Sequence, residues 1–359
     1  MTDNAFVLIF HFPFSSIMLS GLYGTITNCR NALYENGVFK SYSLGVPVVS
    51  VGNITVGGTG KTPMVALTAE ILLGEGEKVG ILTRGYGREN PKQRVLVSDG
   101  ERILVQAENA GDEPFELARK LFGKVIIVAD ADRVSAGIWA REKFGITTFV
   151  LDDAFQHRKV KRDTDIVLID ATNPFGNGKT LPFGILREPL KNLQRADLIV
   201  ITRANLIEDV SNLKSRIRQY NQNCPIYVSQ NRVSSVTELK NFQAVQTTKD
   251  EGQKTKVKAF AFCALGNPNN FYDQLRQEKF DLVSTRTFPD HHFYTQKDIA
   301  ELTRKARTGG AEILLTTAKD AVKLQGLEFE MPCLVVEIEM IFDKGFQIPD
   351  SGLNTKFVI

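Results

Sequence analysis

The sequence predicts an α/β fold of two α/β/α lobes built on mostly parallel sheets. Three observations carry that reading. Short, continuous apolar runs recur after Gly45, without the alternation of a strand that is buried on one face only. Segments with helical spacing separate many of them. A glycine-rich turn joins the first run to the first such segment.

In chain order, Val46–Val51 is expected as a strand, with Pro47 tolerated near its start. Pro63–Gly74 has helical spacing at Val65, Ala66, Leu67, Ala69, Ile71 and Leu72. Val79–Thr83, Val125–Ala129, Thr147–Leu151, Ile166–Asp170 and Leu198–Thr202 are further strands. A second set comprises Ile226–Val228, Val257–Cys263, Ile313–Thr317 and Leu334–Ile338, with helical stretches around Asn270–Glu278 and Gln296–Thr308. The polar stretch Thr247–Lys256 is expected as an exposed loop. The lobes are therefore expected at residues 31–215 and 216–359, with the border somewhere between 205 and 230.

The chain has 359 residues, 43% hydrophobic and 24% charged, which suits two soluble globular domains. A net charge of +3, from 44 basic and 41 acidic residues, gives no electrostatic footprint for nucleic acid. Cys29, Cys224, Cys263 and Cys333 lie far apart, with neither metal-ligand spacing nor a disulfide framework. Nothing in the sequence calls for an obligate protein partner.

Residues 1–30 differ from the rest. No Asp, Glu, Lys or Arg lies between Asp3 and Arg30, and the stretch includes Phe6-Val7-Leu8-Ile9-Phe10 and Ile17-Met18-Leu19. His11, Pro13, Ser15, Ser16 and Ser20 interrupt it, and it lacks the basic start of a secretory signal. A helix dipping into one membrane face is expected, with Phe6, Phe10, Phe12, Phe14 and Tyr23 at the interface. The alternative is an amphipathic helix buried against the soluble body.

The turn Gly57-Gly58-Thr59-Gly60-Lys61-Thr62 is a P-loop, and the fold expected around it is P-loop NTPase-like. Its glycines let backbone N–H groups curl around phosphate oxygens. Lys61 reaches the outer phosphates and the Thr62 hydroxyl suits Mg²⁺. The helix that follows adds its positive end, and Pro63 fits a first turn. The usual motif has glycine where this chain has Thr55.

Asp152-Asp153 ends the apolar run Phe149-Val150-Leu151, where a carboxylate on the metal side of such an enzyme belongs. Strand alternation sends the two side chains apart and suggests different roles. In Gly111-Asp112-Glu113-Pro114, Asp112 can cap a helix beginning near Phe115, or act in catalysis. Arg84-Gly85-Tyr86-Gly87-Arg88 suits anion contact or a plain surface loop. Asp290-His291-His292 is the densest titratable cluster, since an Asp can orient an imidazole for proton transfer. Thr317-Ala318-Lys319-Asp320 is either a contact to a nucleotide base or a helix start.

The run from Ser50 to Pro63 resembles the tetraacyldisaccharide 4′-kinase family of lipid A biosynthesis. So do Arg84-Gly85-Tyr86-Gly87, Gly111-Asp112-Glu113-Pro114, Leu151-Asp152-Asp153-Ala154-Phe155-Gln156-His157, Leu186-Arg187-Glu188-Pro189 and Phe288-Pro289-Asp290-His291-His292. These motifs stand in family order between residue 46 and about residue 323, and the apolar N-terminus matches a membrane-associating helix. The chain departs from the family pattern at Phe293 and Ala318.

The resemblance implies transfer of the γ-phosphate of ATP, with Mg²⁺, to the 4′-hydroxyl of a tetraacylated glucosamine disaccharide 1-phosphate. The product would be lipid IVA, made at the cytoplasmic face of the bacterial inner membrane. It implies that Thr55, Val56, Gly57, Gly58, Thr59, Gly60, Lys61 and Thr62 wrap the nucleotide. Asp112 would be the base, with His291 as its partner and Asp290 supporting the histidine. Asp152, Asp153, Glu113 and Thr62 would serve the metal. Arg84, Tyr86, Arg133, His157 and Glu188 would touch substrate or support residues that do. A GTPase or ATPase switch such as a metallochaperone, or a nucleotide-binding scaffold, would carry a similar loop. Neither needs a base from a second motif.

Overall fold

The computed structural model describes residues 13–243, 257–343 and 345–348. The expected loop Thr247–Lys256, and Phe6, Phe10 and Phe12, lie outside them, and the side chain of Phe14 is not described.

The described chain opens with helix α1 (Pro13–Glu35). Then come β1 (Val48–Asn53), α2 (Lys61–Gly74), β2 (Val79–Thr83), β3 (Val95–Asp99), α3 (Ala107–Ala110) and α4 (Asp112–Lys120). They are followed by β4 (Ile126–Ala129), α5 (Arg133–Phe144), β5 (Thr148–Asp152), β6 (Thr164–Asp170) and β7 (Leu198–Thr202). The second half adds α6 (Ser211–Arg218), β8 (Ile226–Glu238), α7 (Leu239–Gln243), β9 (Lys258–Cys263) and α8 (Pro268–Gln277). It ends with β10 (Asp281–Thr287), α9 (Gln296–Thr308), β11 (Ile313–Thr317), α10 (Ala318–Ala321) and β12 (Cys333–Phe342).

All twelve strands belong to one sheet, ordered β10-β9-β11-β12-β8-β7-β6-β1-β5-β2-β4-β3. Its first half is parallel from β4 to β8, with β3 antiparallel at the edge. The mostly parallel sheet expected from the apolar runs is therefore present. Every residue of β1, β2, β5, β6 and β7 is buried, as a strand covered on both faces requires.

The two expected halves share this sheet through β8. Its first residues pair parallel with β7, at Ile199↔Ile226 and Ile201↔Val228. Its remainder pairs antiparallel with β12, from Ser229↔Phe342 to Glu238↔Leu334. Only the β7-paired part of β8 reads as an apolar strand in the sequence. The rest, Ser-Gln-Asn-Arg-Val-Ser-Ser-Val-Thr-Glu, is half-exposed and polar.

Helix α1 is turned with its polar residues inward. Ser20, Thr27 and Asn31 are buried, and Gly24 lies against Pro189 and Thr180. Met18, Leu19, Leu22 and Ile26 face outward, with Met18 73% exposed. Their spacing of three and four residues makes one apolar stripe. This is the reverse of a helix packed on a soluble core by its apolar face, and α1 lies against the body through its polar residues instead. No helix among the described residues is long and apolar enough to cross a membrane.

Candidate active site

The phosphate loop is held on three sides. Gly57 and Gly60 take φ of 102° and 86°, which residues with a Cβ rarely adopt. Gly60 immediately precedes α2 and makes no side-chain cap, so the first N–H groups of α2 remain free for an anion. Thr55 pairs with Leu186 in an isolated antiparallel bridge, and the Val56 N–H donates to the Ile185 carbonyl at 2.8 Å. Thr55 is not among the residues with positive φ. An extended bridge position needs no glycine, which is why threonine replaces the usual first glycine here. Thr59 is buried; its hydroxyl accepts from Asn53 Nδ2 at 2.9 Å and its carbonyl from Thr202 Oγ1 at 3.0 Å. Lys61 and Thr62 open α2, with Gly58 in the loop just before.

The two neighbouring aspartates have different surroundings. Asp152 is the last residue of β5, buried, and accepts from Thr83 Oγ1 at 2.9 Å. Burial, together with the charges of Glu113 and Asp153, pushes its carboxyl up to about 7, against the pull of Lys61 and Arg133. Asp153 lies beyond the strand with φ 47°, so a left-handed turn, not strand alternation, separates the pair. Its Oδ1 accepts from Arg187 Nη1 at 2.6 Å and lies 3.8 Å from Lys61 Nζ. Burial alone would raise Asp153, but Lys61, Arg187 and Arg133 outweigh it and hold it below the usual range.

Asp112 is the first residue of α4, three positions earlier than the sequence suggests. Gly111, with φ 90°, takes the cap position, so Asp112 does not cap the helix. Its Oδ2 lies 3.0 Å from His291 Nδ1 and 3.3 Å from Lys323 Nζ. Burial would raise this carboxyl; the His291 hydrogen bond and the charges of Lys323 and Lys319 outweigh it and hold it low. A Cβ at Gly111 would come within 2.6 Å of the Tyr86 carbonyl, so only glycine lets the Tyr86 loop pack this closely. In that loop Arg84 Nη1 donates to the Tyr86 hydroxyl at 2.9 Å, and both side chains are exposed.

His291 has φ 61°, and its Nε2 lies 3.8 Å from Asp290 Oδ2. Asp290 also pairs with Lys319 Nζ at 3.2 Å. Burial would lower Lys319, but Glu113, Asp290 and Asp112 hold it above its ordinary value. Thr317 caps α10 through the Asp320 N–H, and the Asp320 carboxylate accepts from Thr317 Oγ1 and the Ala264 N–H. The helix-start reading of this segment therefore holds. Gly266 joins the histidine loop to the phosphate loop, since its Cβ position would lie 3.1 Å from Asp290 Oδ2 and 3.7 Å from the Gly57 Cα.

Two expected residues sit elsewhere. Glu188 is fully buried and faces α1, accepting from Asn31 Nδ2 at 2.6 Å and Arg195 Nη2 at 2.7 Å. Its neighbour Arg187 is the one that reaches Asp153, a role the Leu-Arg-Glu-Pro motif does not reveal from sequence. His157 lies under the site, where burial and the charges of Arg133 and Arg162 push its imidazole down to about 3. Buried Arg133 comes within 3.4 Å of the Asp153 carbonyl.

The donors near the loop are oxygens, as a hard divalent cation requires. Burial first, and then the charges of Glu113 and Asp153, raise Asp152, and such a cation would relieve that repulsion. Among the described residues, no three His, Cys, Asp or Glu side chains converge to hold an ion by themselves. Mg²⁺ bound by one or two carboxylates together with substrate phosphates fits that arrangement.

Comparison with known proteins gives one answer. The family model for tetraacyldisaccharide-1-P 4′-kinase matches residues 15–349. The tetraacyldisaccharide 4′-kinase of Pelobacter propionicus is 39% identical over 340 residues, covering 94% of this chain and 91% of that protein. The protein of the same name from Geobacter metallireducens is 39% identical, covering 86% of this chain and 87% of its own. The crystal structure of LpxK from Aquifex aeolicus in complex with ATP superposes with a TM-score of 0.71 at 32% identity, covering 92% of this chain and 94% of that one. On these matches the chain belongs to the tetraacyldisaccharide 4′-kinase family.

Proposed function

We propose that this chain transfers the γ-phosphate of ATP, with Mg²⁺, to the 4′-hydroxyl of a tetraacylated glucosamine disaccharide 1-phosphate. The observation that carries the reaction is the Asp112–His291 contact at 3.0 Å, on a loop that abuts the phosphate loop through Gly266. A switch or scaffold has no need of it.

The free N–H groups at the start of α2 and the Lys61 ammonium hold the β- and γ-phosphates. Thr62, Asp152 and Asp153 would hold Mg²⁺, which neutralises charge on the phosphate oxygens. Asp112 accepts the proton of the 4′-hydroxyl while that oxygen bonds to the γ-phosphorus. The bond from the γ-phosphorus to the bridging oxygen breaks, and ADP leaves. His291 orients Asp112 and Asp290 supports His291. Arg84 and Tyr86, paired and exposed beside Asp112, are placed to meet the acceptor's sugar or phosphate. The division at residues 31–215 and 216–359 puts the phosphate loop and Asp112 on one side and His291 on the other.

The outward stripe of Met18, Leu19, Leu22 and Ile26 supports a monotopic seat on the inner membrane's cytoplasmic face. A substrate whose acyl chains stay in lipid then needs only to raise its sugar to the site.

Incubating the protein with Mg-ATP and tetraacyl disaccharide 1-phosphate in mixed micelles should yield a bisphosphorylated lipid. No such product, under conditions where the Aquifex enzyme forms it, would overturn this reading.

A further inference from the structure

We infer that Lys323 is a positioning residue for the reaction, holding Asp112 so that one chosen oxygen faces the acceptor hydroxyl. This rests on Asp112 being the base.

The Lys323 side chain is 2% exposed, in the turn that follows α10. Its ammonium lies 3.3 Å from Asp112 Oδ2 and 3.6 Å from Asp320 Oδ1, without a directed hydrogen bond to either. A buried lysine persists only where opposite charge surrounds it, and here two carboxylates supply that charge. Asp320 is itself immobile, since it is fully buried and its Oδ2 takes the Thr317 hydroxyl and the Ala264 N–H. Lys323 thus ties Asp112, on the phosphate-loop side, to a fixed point at the end of β9 and β11.

His291 and Lys323 converge on the same oxygen, Oδ2. Asp112 Oδ1 has no hydrogen-bond partner among the described residues. That division assigns Oδ1 as the atom that takes the proton and Oδ2 as the anchored one. His291 alone is a poor anchor, because it stands on a left-handed backbone position with a side chain 38% exposed. Lys319, four residues before Lys323, pairs with Asp290 on the opposite flank of the imidazole. One short segment therefore supplies a lysine to each carboxylate flanking His291.

Misplacing a reacting group by an ångström costs about 100-fold in rate. Lys323→Met should lower kcat by roughly 10- to 100-fold while the KM for ATP stays within about twofold, since the ion-pair partners of Lys323 among the described residues are Asp112 and Asp320, outside the phosphate loop. The deciding measurement is a cycle with Asp112→Asn. If Lys323 acts through Asp112, Lys323→Met changes nothing further in the Asp112→Asn enzyme. Losses that multiply, or an unchanged kcat in folded Lys323→Met, would overturn the inference. The milder Asp320→Asn loosens Lys323 without emptying its place. It is read in the same cycle and should lower kcat only when Asp112 is present. Should Lys323→Met not fold, an Asp320→Asn enzyme with full kcat overturns the inference equally. Asp112→Asn by itself tests the base: normal turnover there removes the base reading, whatever Lys323 does.

Discussion

Asp112 and His291 are separated by 179 positions in the chain and meet at 3.0 Å. Their contact joins α4, which packs beside α2, to the loop between β10 and α9. The proposed base and its partner thus come from the two halves of one sheet. In the proposed reaction, a hydroxyl bound between Asp112 and the phosphate loop would meet a proton acceptor and the γ-phosphate together.

Asp112→Ala should lose turnover by a factor of about 100 or more, the range for a positioned base. ATP binding, measured by titration calorimetry, should change little, because the hydrogen-bond and ion-pair partners of the Asp112 side chain among the described residues are His291 and Lys323, outside residues 55–62. Comparable losses in both would remove Asp112 as the base.

The phosphate loop was legible because its chemistry is local. A buried strand, a glycine turn and a helix lie in sequence order, and Lys61 and Thr62 take their places from spacing alone. Asp152 was legible for the same reason. Lys323 was not, since a lysine after Ala-Val reads as an ordinary solvated charge until the fold buries it between Asp112 and Asp320. In Leu186-Arg187-Glu188-Pro189, sequence does not tell which charged residue faces the site; the structure turns Arg187 to Asp153 and Glu188 to α1. Strands β3 and β10 escaped because edge strands bury one side only, so Asp-Leu-Val-Ser-Thr-Arg-Thr carries no continuous apolar run. The sheet's continuity through β8 was hidden by polar, half-exposed residues past Val228.

His157 gives a pH dependence of stability with a definite sign. Its imidazole falls from 6.5 to about 3 on folding, through burial first and then Arg133, Arg162, Lys159 and Arg84. Above pH 6.5 it is neutral in both states and has no effect. Between 6.5 and 3 the unfolded chain binds a proton that the folded chain refuses, so stability is lost as the pH falls. The slope from this one residue approaches about 1.4 kcal/mol per pH unit. His157→Gln should flatten the acid limb of a denaturant-midpoint profile relative to the parent protein. Parallel profiles from pH 7 to pH 4 would show that the imidazole is not held neutral.

The stripe on α1 predicts a separation of membrane binding from chemistry. Leu22→Glu with Ile26→Glu places two charges on an exposed face and removes no buried contact, so folding should be unaffected. Flotation with anionic liposomes should drop, while turnover of substrate dispersed in detergent should remain. Deleting residues 1–29 should reduce flotation further. Unchanged flotation in both variants would count against a membrane-seated helix.

Glu188 fastens that helix to the body. It is fully buried and takes hydrogen bonds from Asn31 and Arg195, with Arg30 at 3.7 Å. Arg195 also lies over the Phe155 ring at 4.1 Å, and Phe155 packs against Gly52 at the base of the phosphate loop. Removing the carboxylate takes from buried Arg195 its directly paired charge and leaves only the weaker influence of Asp165, a loss of about 3 kcal/mol. Glu188→Ala should therefore lower the melting temperature and make α1 accessible to protease ahead of the rest of the chain. Glu188→Gln keeps an acceptor for Asn31 but not the charge, and should fall between the two. If Glu188 instead met substrate, Glu188→Ala would raise the KM for the lipid and leave thermal stability and α1 protection unchanged.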